Sequence, residues 1–189
     1  MQRNGTATKE RIERQALRLF VEKGVTATTV RDITAASGVT EAALYRHFAS
    51  KDELAWRVFF DNFSAFAAEL DEIQNEHGTL RGKLGGIIRH FCQAFDRDWV
   101  LFSYLLISEH EQVTKVTKEM PNPVQVLREV IAKGIARGEV PDQDPELATS
   151  MVLGIVLQVA RSHVYGRIEG NLSRLADNLV EATWRVLQC

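Results

Sequence analysis

The sequence lacks the features by which several classes of protein are recognised. Its 189 residues include two cysteines, Cys92 and Cys189, which lie far apart, so neither a disulfide framework nor a cysteine-based zinc site is expected. The polar residues 1–10 carry no apolar stretch of a signal peptide, and the chain has no run of about 18 apolar residues that would span a membrane. We therefore expect a cytoplasmic protein with no membrane partner.

The sequence also lacks the motifs of common enzyme classes. It contains no phosphate-binding loop, no dinucleotide-binding glycine pattern, no nucleophile elbow and no zinc-protease motif. We predict that the protein is not an enzyme and has no catalytic residues and no cofactor. His90, Glu109 and His110 suggest a metal site, but the adjacent residues Glu109 and His110 do not share one face of a helix, so no metal is predicted.

Charge is present in ordinary amount but is distributed unevenly. The chain is 45% hydrophobic and 25% charged, which is typical of a globular domain, and its net charge is −2. Residues 1–51 carry nine basic and five acidic residues, whereas the remainder carries 14 basic and 20 acidic residues. A basic head on an acidic body is expected when a small module binds a polyanion, and a solvated charged face is the alternative.

Apolar spacing predicts α-helices almost throughout the chain, whereas the alternation typical of strands is nearly absent. The first helix is predicted over residues 8–23, where an apolar stripe ends just before Gly24. Farther along, Asn122-Pro123 and Asp144-Pro145 each place a capping residue before a proline that can occupy the first helical position. Two helices of the body are predicted to begin there.

Between residues 29 and 54 the capping signals are closely spaced. The capping box Thr29–Asp32 predicts a short second helix that ends at Gly38, and Thr40 caps a third helix. A further capping box, Ser50–Glu53, begins a fourth helix that continues to about residue 75. This stretch therefore consists of two short helices joined by a tight turn, followed by a long one.

The last two predicted helices carry more apolar residues than one protomer needs. Residues 151–157 are apolar on every face, which the surface of a monomer disfavours. We predict that one face packs on the body and another on a second copy of the chain, with burial inside a single protomer as the alternative. The predicted homodimer interface comprises Met151, Ile155, Val159, Leu172, Leu175, Leu179, Ala182 and Val186.

Two short helices joined by a glycine-containing turn are the sequence geometry of a helix-turn-helix, whose second helix lies in the DNA major groove. Residues 29–48 fit this geometry. The segments Thr28–Ile33, Ser37–Thr40 and Leu44–Leu54 closely resemble the N-terminal signature of the TetR (tetracycline-repressor) family of transcriptional regulators, and about 50 contiguous residues carry the likeness.

The resemblance implies an all-α fold. It implies a three-helix DNA-binding domain over residues 1–50, joined by the fourth helix to a larger ligand-binding and dimerisation domain over residues 51–189. It further implies a repressor that binds palindromic double-stranded operator DNA as a homodimer and is released by a small-molecule effector. The alternative is a helical interaction module without sequence-specific DNA binding, whose basic head only keeps it soluble.

The resemblance also implies that Thr28, Thr29 and Lys51 contact DNA phosphates. Helix N-termini with hydroxyl and ammonium donors suit that role. For Thr29 the alternative is a helix cap that makes no DNA contact. Arg31 is expected to reach a phosphate or a base edge, with an ion pair to an acid on its own helix as the alternative.

Once Leu44 and Phe48 are buried, the third helix presents exposed residues that we call the reading face. Its members are Thr40, Glu41, Ala42, Tyr45 and Arg46. Arg46 can donate to guanine, Glu41 can accept from cytosine, and the Ala42 methyl group can contact a thymine methyl group. Tyr45 and His47 are expected to donate to phosphates, with a structural role as the alternative for His47.

Aromatic residues spread over several helices of the acidic body resemble the effector-binding domain of the family, in which a small molecule lies between helices. The candidate lining residues are Phe63, Phe91, Phe95, Trp99, Phe102, Tyr104, His110, Met120 and His163. Aromatic residues at helical spacing also form ordinary hydrophobic core, which is the alternative for each of them.

Overall fold

The structure, a computed structural model, describes residues 2–117 and 119–189, and their side chains except those of residues 2–4, 108–111 and 113. Within these ranges the chain forms α-helices and two short 3-10 helices (Val113–Lys115 and Leu172–Leu175) and no strand, which confirms the predicted all-α class. The α-helices are α1 (Gln2–Lys23), α2 (Val30–Ser37), α3 (Glu41–Tyr45), α4 (Lys51–Asn75), α5 (Leu80–Arg97), α6 (Trp99–Gln112), α7 (Pro123–Ala136), α8 (Pro145–Val164) and α9 (Ala176–Val186).

The helix starts follow the capping signals in the sequence. Asn122 accepts a hydrogen bond from Val124 N at 2.9 Å at the start of α7, and Asp144 accepts from Glu146 N at 2.7 Å at the start of α8. The first helix differs from its prediction, because α1 begins at Gln2 and not at residue 8. No proline interrupts residues 2–7, and each added residue contributes a backbone hydrogen bond, so the helix extends beyond its apolar stripe.

The chain comprises two compact units. The N-terminal unit is Met1–Asn62 with Ser103–Lys115, and the C-terminal unit is Phe63–Phe102 with Val116–Cys189. Helices α4 and α6 therefore each contribute residues to both units. The predicted domain boundary after residue 50 rests on the sequence motif and stays a prediction.

The core of the N-terminal unit joins α1, α2, α3 and α4 to the second half of α6. Its members are Ile12, Ala16, Phe20, Ile33, Leu44, Phe48, Leu54 and Phe59, all buried. Tyr104 of α6 completes it, because its ring stacks on Phe20 with centroids 5.7 Å apart and its hydroxyl donates to Ala55 O at 2.8 Å. The buried apolar faces fix the positions of α2 and α3 against the rest of the unit.

The C-terminal unit has its own apolar core, in which α5 packs on α7 and α9, and α8 packs on the same two helices. Its buried members are Leu70, Leu80, Leu84, Ile87, Leu127, Val130, Ile131, Val140, Ala148, Val152 and Leu187. Helices α5 and α7 approach closely at Gly134, where an added Cβ atom would lie 2.9 Å from Leu80 Cβ. Glycine at this position is therefore required by packing.

Helix α8 meets the length and hydropathy of a membrane-spanning segment. Among the described residues it is the single helix that does so, and 28% of that stretch is buried. A helix that packs in a protein core or at an interface between copies meets the same criteria, and α8 packs on α7 and α9. The apolar composition of α8 thus has an explanation in protein packing.

The close approach at Gly134 predicts that Gly134→Ala lowers the free energy of unfolding by about 1–3 kcal/mol, because the new methyl group must displace Leu80. Urea denaturation measures this change. The matched control is Gly5→Ala in α1, where an added Cβ meets no atom within 4 Å. That control should leave stability unchanged or raise it by up to about 1 kcal/mol, and equal stability of both variants would contradict the tight packing.

Candidate nucleic-acid interface

The turn between α2 and α3 is fixed by hydrogen bonds and by one glycine. Ser37 Oγ donates to Ile33 O at 2.5 Å inside α2, and Val39 N donates back to Thr34 O at 3.1 Å. Gly38 between them has φ +62°, the left-handed conformation in which a side chain is strained. The direction in which the chain enters α3 is therefore set by the turn itself.

Helix α3 is capped at its start and anchored from below. Thr40 Oγ1 accepts from Ala43 N at 3.2 Å, and Leu44 and Phe48 are buried in the core of the unit. The opposite side is exposed, which confirms the predicted exposure of the reading face: Thr40, Glu41, Ala42, Tyr45 and Arg46. The DNA contacts assigned to these residues stay predictions.

Helix α3 ends before Phe48, the last apolar residue expected on its buried side. The α-helix closes at Tyr45, and Arg46 is its C-terminal cap. His47 N donates to Leu44 O at 2.9 Å, a spacing of three residues that tightens the last turn. The His47 ring is half-buried, with its centroid 6.3 Å from that of Phe48. Its predicted contact with a phosphate remains untested.

Arg31 pairs with an acid on the neighbouring helix. Arg31 Nε lies 3.6 Å from Glu41 Oε1, with side-chain exposures of 91% and 51%. The alternative from the sequence was an ion pair between Arg31 and an acid on its own helix. The observed partner, Glu41, instead belongs to α3. The pair therefore connects the exposed sides of α2 and α3.

Thr28 is placed differently from its prediction. The residue is fully buried, and its hydroxyl donates to Gly24 O at 2.8 Å and to Leu19 O at 3.3 Å. A fully buried side chain does not reach a DNA phosphate, so the predicted phosphate contact of the Thr28 side chain is wrong. Its hydroxyl instead holds the start of α2 to the end of α1. A lone threonine before a capping residue gives no sequence signal for this role.

Lys51 also takes part in the turn between α1 and α2. Its ammonium donates to Val25 O at 2.7 Å, to Thr28 O at 2.8 Å and to Thr26 O at 3.2 Å. Carbonyls that end a helix turn carry partial negative charge, which explains why a lysine lies here. The predicted phosphate contact of Lys51 stays a prediction, whereas its structural role was missed because its partners lie 23 to 26 residues away.

Thr29 has the capping geometry that was predicted. Its hydroxyl accepts from Asp32 N at 3.1 Å, and its own N–H donates to the Asp32 carboxylate at 2.9 Å. The Thr29 N–H, with the Thr29 hydroxyl and nearby Lys23, keeps the pKa of Asp32 below its ordinary value. The Asp32 carboxylate is therefore ionised at neutral pH, and the stabilisation from its bond with Thr29 N–H is lost when the pH falls through that lowered pKa. Thr29 is exposed at the start of α2.

The C-terminal unit contains a cluster of ring side chains contributed by α4, α5, α6 and α8. The aromatic cluster comprises Phe66, His90, Phe91, Phe95, Phe102 and His163. Phe102 makes edge-to-face contacts with Phe66 and Phe91 at centroid distances of 5.3 and 5.6 Å, and Phe95 meets His163 at 5.2 Å. The structure thus brings together four predicted effector residues, Phe91, Phe95, Phe102 and His163.

Two members of the aromatic cluster were not predicted as effector residues. The His90 ring stacks on Phe66 with centroids 5.7 Å apart, and His90 Nε2 lies 2.7 Å from Glu69 Oε2. Phe66 is half-buried, and the apolar spacing of α4 does not indicate which residues it contacts. His90 drew attention as a metal ligand, whereas its observed partners are a carboxylate and a ring.

The remaining predicted effector residues differ in their surroundings. Tyr104 belongs to the N-terminal unit, where its hydroxyl and ring are engaged with Ala55 and Phe20, so its assignment to an effector site is corrected. Trp99 is 56% exposed, and Phe63 and Met120 are half-buried. The side chain of His110 lies outside the described residues.

The C-terminal unit also has an open cleft of about 600 Å³ that the sequence did not indicate. It is lined by Thr79, Arg81, Gly82, Arg89, Asp177, Val180 and Glu181. The cleft contains two ion pairs, Arg81 with Glu181 at 2.8 Å and Arg89 with Asp177 at 3.0 Å. Because its charges are paired and none of the predicted effector residues lines it, the cleft is distinct from the aromatic cluster.

The residues predicted for the dimer interface divide into two groups. Met151, Ile155, Val159 and Leu175 are half-buried and Ala182 is exposed, so these five keep surface that a second copy could cover. Val186 is half-buried and packs against the core of its own unit. Leu172 and Leu179 are buried in their own unit, with exposures of 0% and 5%, and their assignment is corrected.

Leu172 and Leu179 are buried because the segment before α9, and α9 itself, pack on α5. The Asp96 carboxylate accepts from Leu172 N at 2.7 Å and from Ser173 N at 2.9 Å. Sequence spacing shows that the final helix has an apolar face but not which neighbour covers it. Two residues that the prediction omitted, Leu147 and Tyr165, are exposed at the two ends of α8, by 59% and 63%.

Cys92 is not a reactive thiol. It is fully buried in α5, and burial, with the negative charge of Asp96, raises its pKa to about 12. The thiol is therefore protonated at neutral pH and is a poor nucleophile. Among the residues whose side chains are described, no group of three or more His, Cys, Asp or Glu residues could hold a metal ion.

A family model described as "Bacterial regulatory proteins, tetR family" matches residues 12–58. The transcriptional repressor KstR2 of Mycobacterium tuberculosis strain H37Rv is 34% identical over 143 residues, which cover 70% of this chain and 69% of the relative. The fatty acid metabolism regulator protein of Bacillus subtilis is 23% identical over 171 residues, which cover 88% of each chain.

Solved structures share the fold along nearly the whole chain. The fatty acid degradation regulator FadR from Bacillus halodurans has a TM-score of 0.83 at 20% identity and covers 93% of this chain and 94% of its own. FadR from Bacillus subtilis, solved with stearoyl-CoA, has a TM-score of 0.76 at 20% identity, with coverage of 92% and 96%. With the α2–α3 geometry and the family match at its N-terminus, the chain belongs to the TetR family of bacterial transcriptional regulators.

Proposed function

We propose that this protein is a cytoplasmic transcriptional repressor that binds a palindromic operator as a homodimer and is released from DNA by a small molecule that carries an apolar chain. It acts by binding and not by catalysis. The observation that carries the proposal is the exposed reading face of α3, presented by a turn whose geometry is fixed and anchored from below by Leu44 and Phe48. A helix presented in this way fits the DNA major groove.

The side chains of the reading face supply the chemistry of base recognition. The Arg46 guanidinium has the fork geometry that pairs with guanine O6 and N7, and Ala42 offers a methyl group to thymine. Tyr45, with 49% exposure, can donate its hydroxyl to a phosphate. Thr29 and its neighbouring N–H groups at the start of α2 supply further phosphate donors.

A second copy of the chain is needed because α3 has five residues and makes few base contacts. Two copies related by twofold symmetry address half-sites about 34 to 36 Å apart. Helix α8 supports this arrangement, since Leu147, Met151 and Ile155 follow one another at spacings of four on a side that is not fully covered. We assign this side, with Ala182 of α9, to the dimer interface.

The aromatic cluster supports an effector with an apolar chain. Its buried phenylalanines offer edges and faces to hydrocarbon and few hydrogen-bonding groups, so the chemistry that they favour is apolar. The FadR relative from Bacillus subtilis was solved with stearoyl-CoA. We therefore assign the effector to the fatty acyl-CoA class and place its acyl chain at Phe66, Phe91, Phe95 and Phe102.

The DNA-binding role predicts that Arg46→Ala lowers the preference for the operator over unrelated duplex about tenfold or more, because one forked contact with guanine contributes roughly 1–3 kcal/mol of discrimination. Mobility-shift titrations at several salt concentrations measure it, and the wild-type affinity should fall log-linearly with salt. Arg174→Ala removes an exposed arginine of the C-terminal unit and is the control. Binding that shows no preference for any duplex would instead favour an interaction module.

The dimer interface predicts that Leu147→Glu converts the protein to monomers, since it buries a charge where two copies meet. Sedimentation velocity at micromolar concentration should show a shift from dimer to monomer, with a parallel loss of operator binding. Leu101→Glu, at a half-buried leucine of α6, is a control for general disruption of packing. A monomeric wild-type protein would contradict the interface.

The effector assignment predicts that stearoyl-CoA releases the protein from its operator, whereas CoA without an acyl chain does not. Phe66→Ala should raise the concentration needed for release about tenfold, because burial of part of a phenyl ring contributes about 1.5 kcal/mol. Phe60→Ala, a half-buried phenylalanine of the same helix that stacks on Trp56, is the matched control. Release that is equal with CoA and stearoyl-CoA, or equal in both variants, would contradict the assignment.

A further inference from the structure

An acidic residue lies where the proposed function requires affinity for a polyanion. Glu41 is half exposed in the first turn of α3, within the reading face that also contains Arg46. A carboxylate near DNA phosphates repels them, so it weakens binding to every sequence unless it also makes a favourable interaction. Its presence at the start of the recognition helix, where side chains meet base edges, calls for an explanation.

The observed partner of Glu41 indicates how this acidic residue can contribute to base recognition. Glu41 Oε1 lies 3.6 Å from Arg31 Nε. A carboxylate beside Nε–H faces one edge of the planar guanidinium group, and the Nη1 and Nη2 hydrogens on the far edge can still donate to guanine O6 and N7. The ion pair and base recognition therefore use different edges of the same side chain.

The two residues belong to different helices, and their separation is set by a rigid connection. Gly38 in its left-handed conformation, the Val39 N–H bond to Thr34 O and the Thr40 cap fix α3 against α2. The backbone at Glu41 is thus held in place, whereas Arg31, with 91% side-chain exposure, has a long side chain with many accessible rotamers. The ion pair ties the Arg31 guanidinium to a helix whose position is fixed.

The pair gains strength when DNA binds. In water an exposed ion pair contributes little to stability, because solvent and salt screen it. Insertion of α3 into the major groove excludes water, and the attraction between the same two charges rises as the local dielectric constant falls. The restriction on Arg31 is therefore greatest in the complex, where its orientation decides which base it meets.

We infer that Glu41 is a positioning residue that orients the Arg31 guanidinium toward a guanine edge, so that α2 and α3 together set the sequence preference. The inference rests on the proposed function as a DNA-binding regulator. It assigns Arg31 to a base and not to a phosphate, and it assigns Glu41 a role exerted through Arg31. Direct acceptance by Glu41 from a cytosine amino group is the competing assignment.

The test compares preferences in a double-mutant cycle on the full-length protein. An operator is first selected from a random duplex pool with the wild-type chain, and each guanine is then replaced in turn. Glu41→Gln should bind unrelated duplex more tightly than wild type and should lose about five- to tenfold preference at one guanine. In an Arg31→Ala background, Glu41→Gln should cause no further loss at that position.

Two controls separate positioning from general effects. Glu13→Gln removes an acid of the same unit that pairs with Lys9 at 3.3 Å along α1, and it should leave the preference unchanged. Arg31→Lys keeps the charge but lacks the guanidinium fork, so it should lose the same preference without any gain in affinity for unrelated duplex. Thermal unfolding of each variant verifies that the protein is folded, and Glu41→Ala replaces Glu41→Gln in the cycle if Glu41→Gln is unstable.

The inference is overturned if Glu41→Gln keeps the wild-type preference, or if its loss of preference persists fully in the Arg31→Ala background, which would assign direct base recognition to Glu41. Failure of the proposed function looks different. In that case the wild-type chain selects no sequence from the pool, and no preference exists for the variants to change.

Discussion

The fixed entry of the chain into α3 is the constraint on which the rest of the reading face depends. A five-residue helix is too short to be stable alone, so its orientation must come from its surroundings. The left-handed Gly38, the Thr40 cap and the buried Leu44 supply that orientation from three sides. Because these restraints are local, substitutions of the exposed residues of α3 should leave the orientation of the helix unchanged.

The restraints on α3 extend backward through the N-terminal unit. Lys51 binds the carbonyls that follow α1, and the buried hydroxyl of Thr28 ties α2 to the same turn. Tyr104 brings the second half of α6 into this unit through Ala55 and Phe20. The N-terminal unit thus depends on residues that lie far apart in the sequence, and a DNA-binding segment that ended at residue 50 would lack some of them.

Local signals in the sequence predicted the fold well and the site in part. Capping boxes and apolar spacing locate α2, α3 and α4, because these patterns reflect interactions within four residues. Periodicity identifies a buried face without identifying its neighbour, which is why Leu172 and Leu179 were assigned to a dimer interface although α5 lies against their segments. The partner of Arg31 was missed for the same reason.

The most direct test of paired presentation of α3 is the selection of operator sequences from a random duplex pool, followed by footprinting of the bound protein. Two copies of a rigidly presented α3 should enrich an inverted repeat whose half-sites are about 10 base pairs, or a multiple, apart centre to centre. Protection should then appear on successive major grooves. Enrichment of no sequence, or of a single half-site bound by one protomer, would contradict paired presentation of α3.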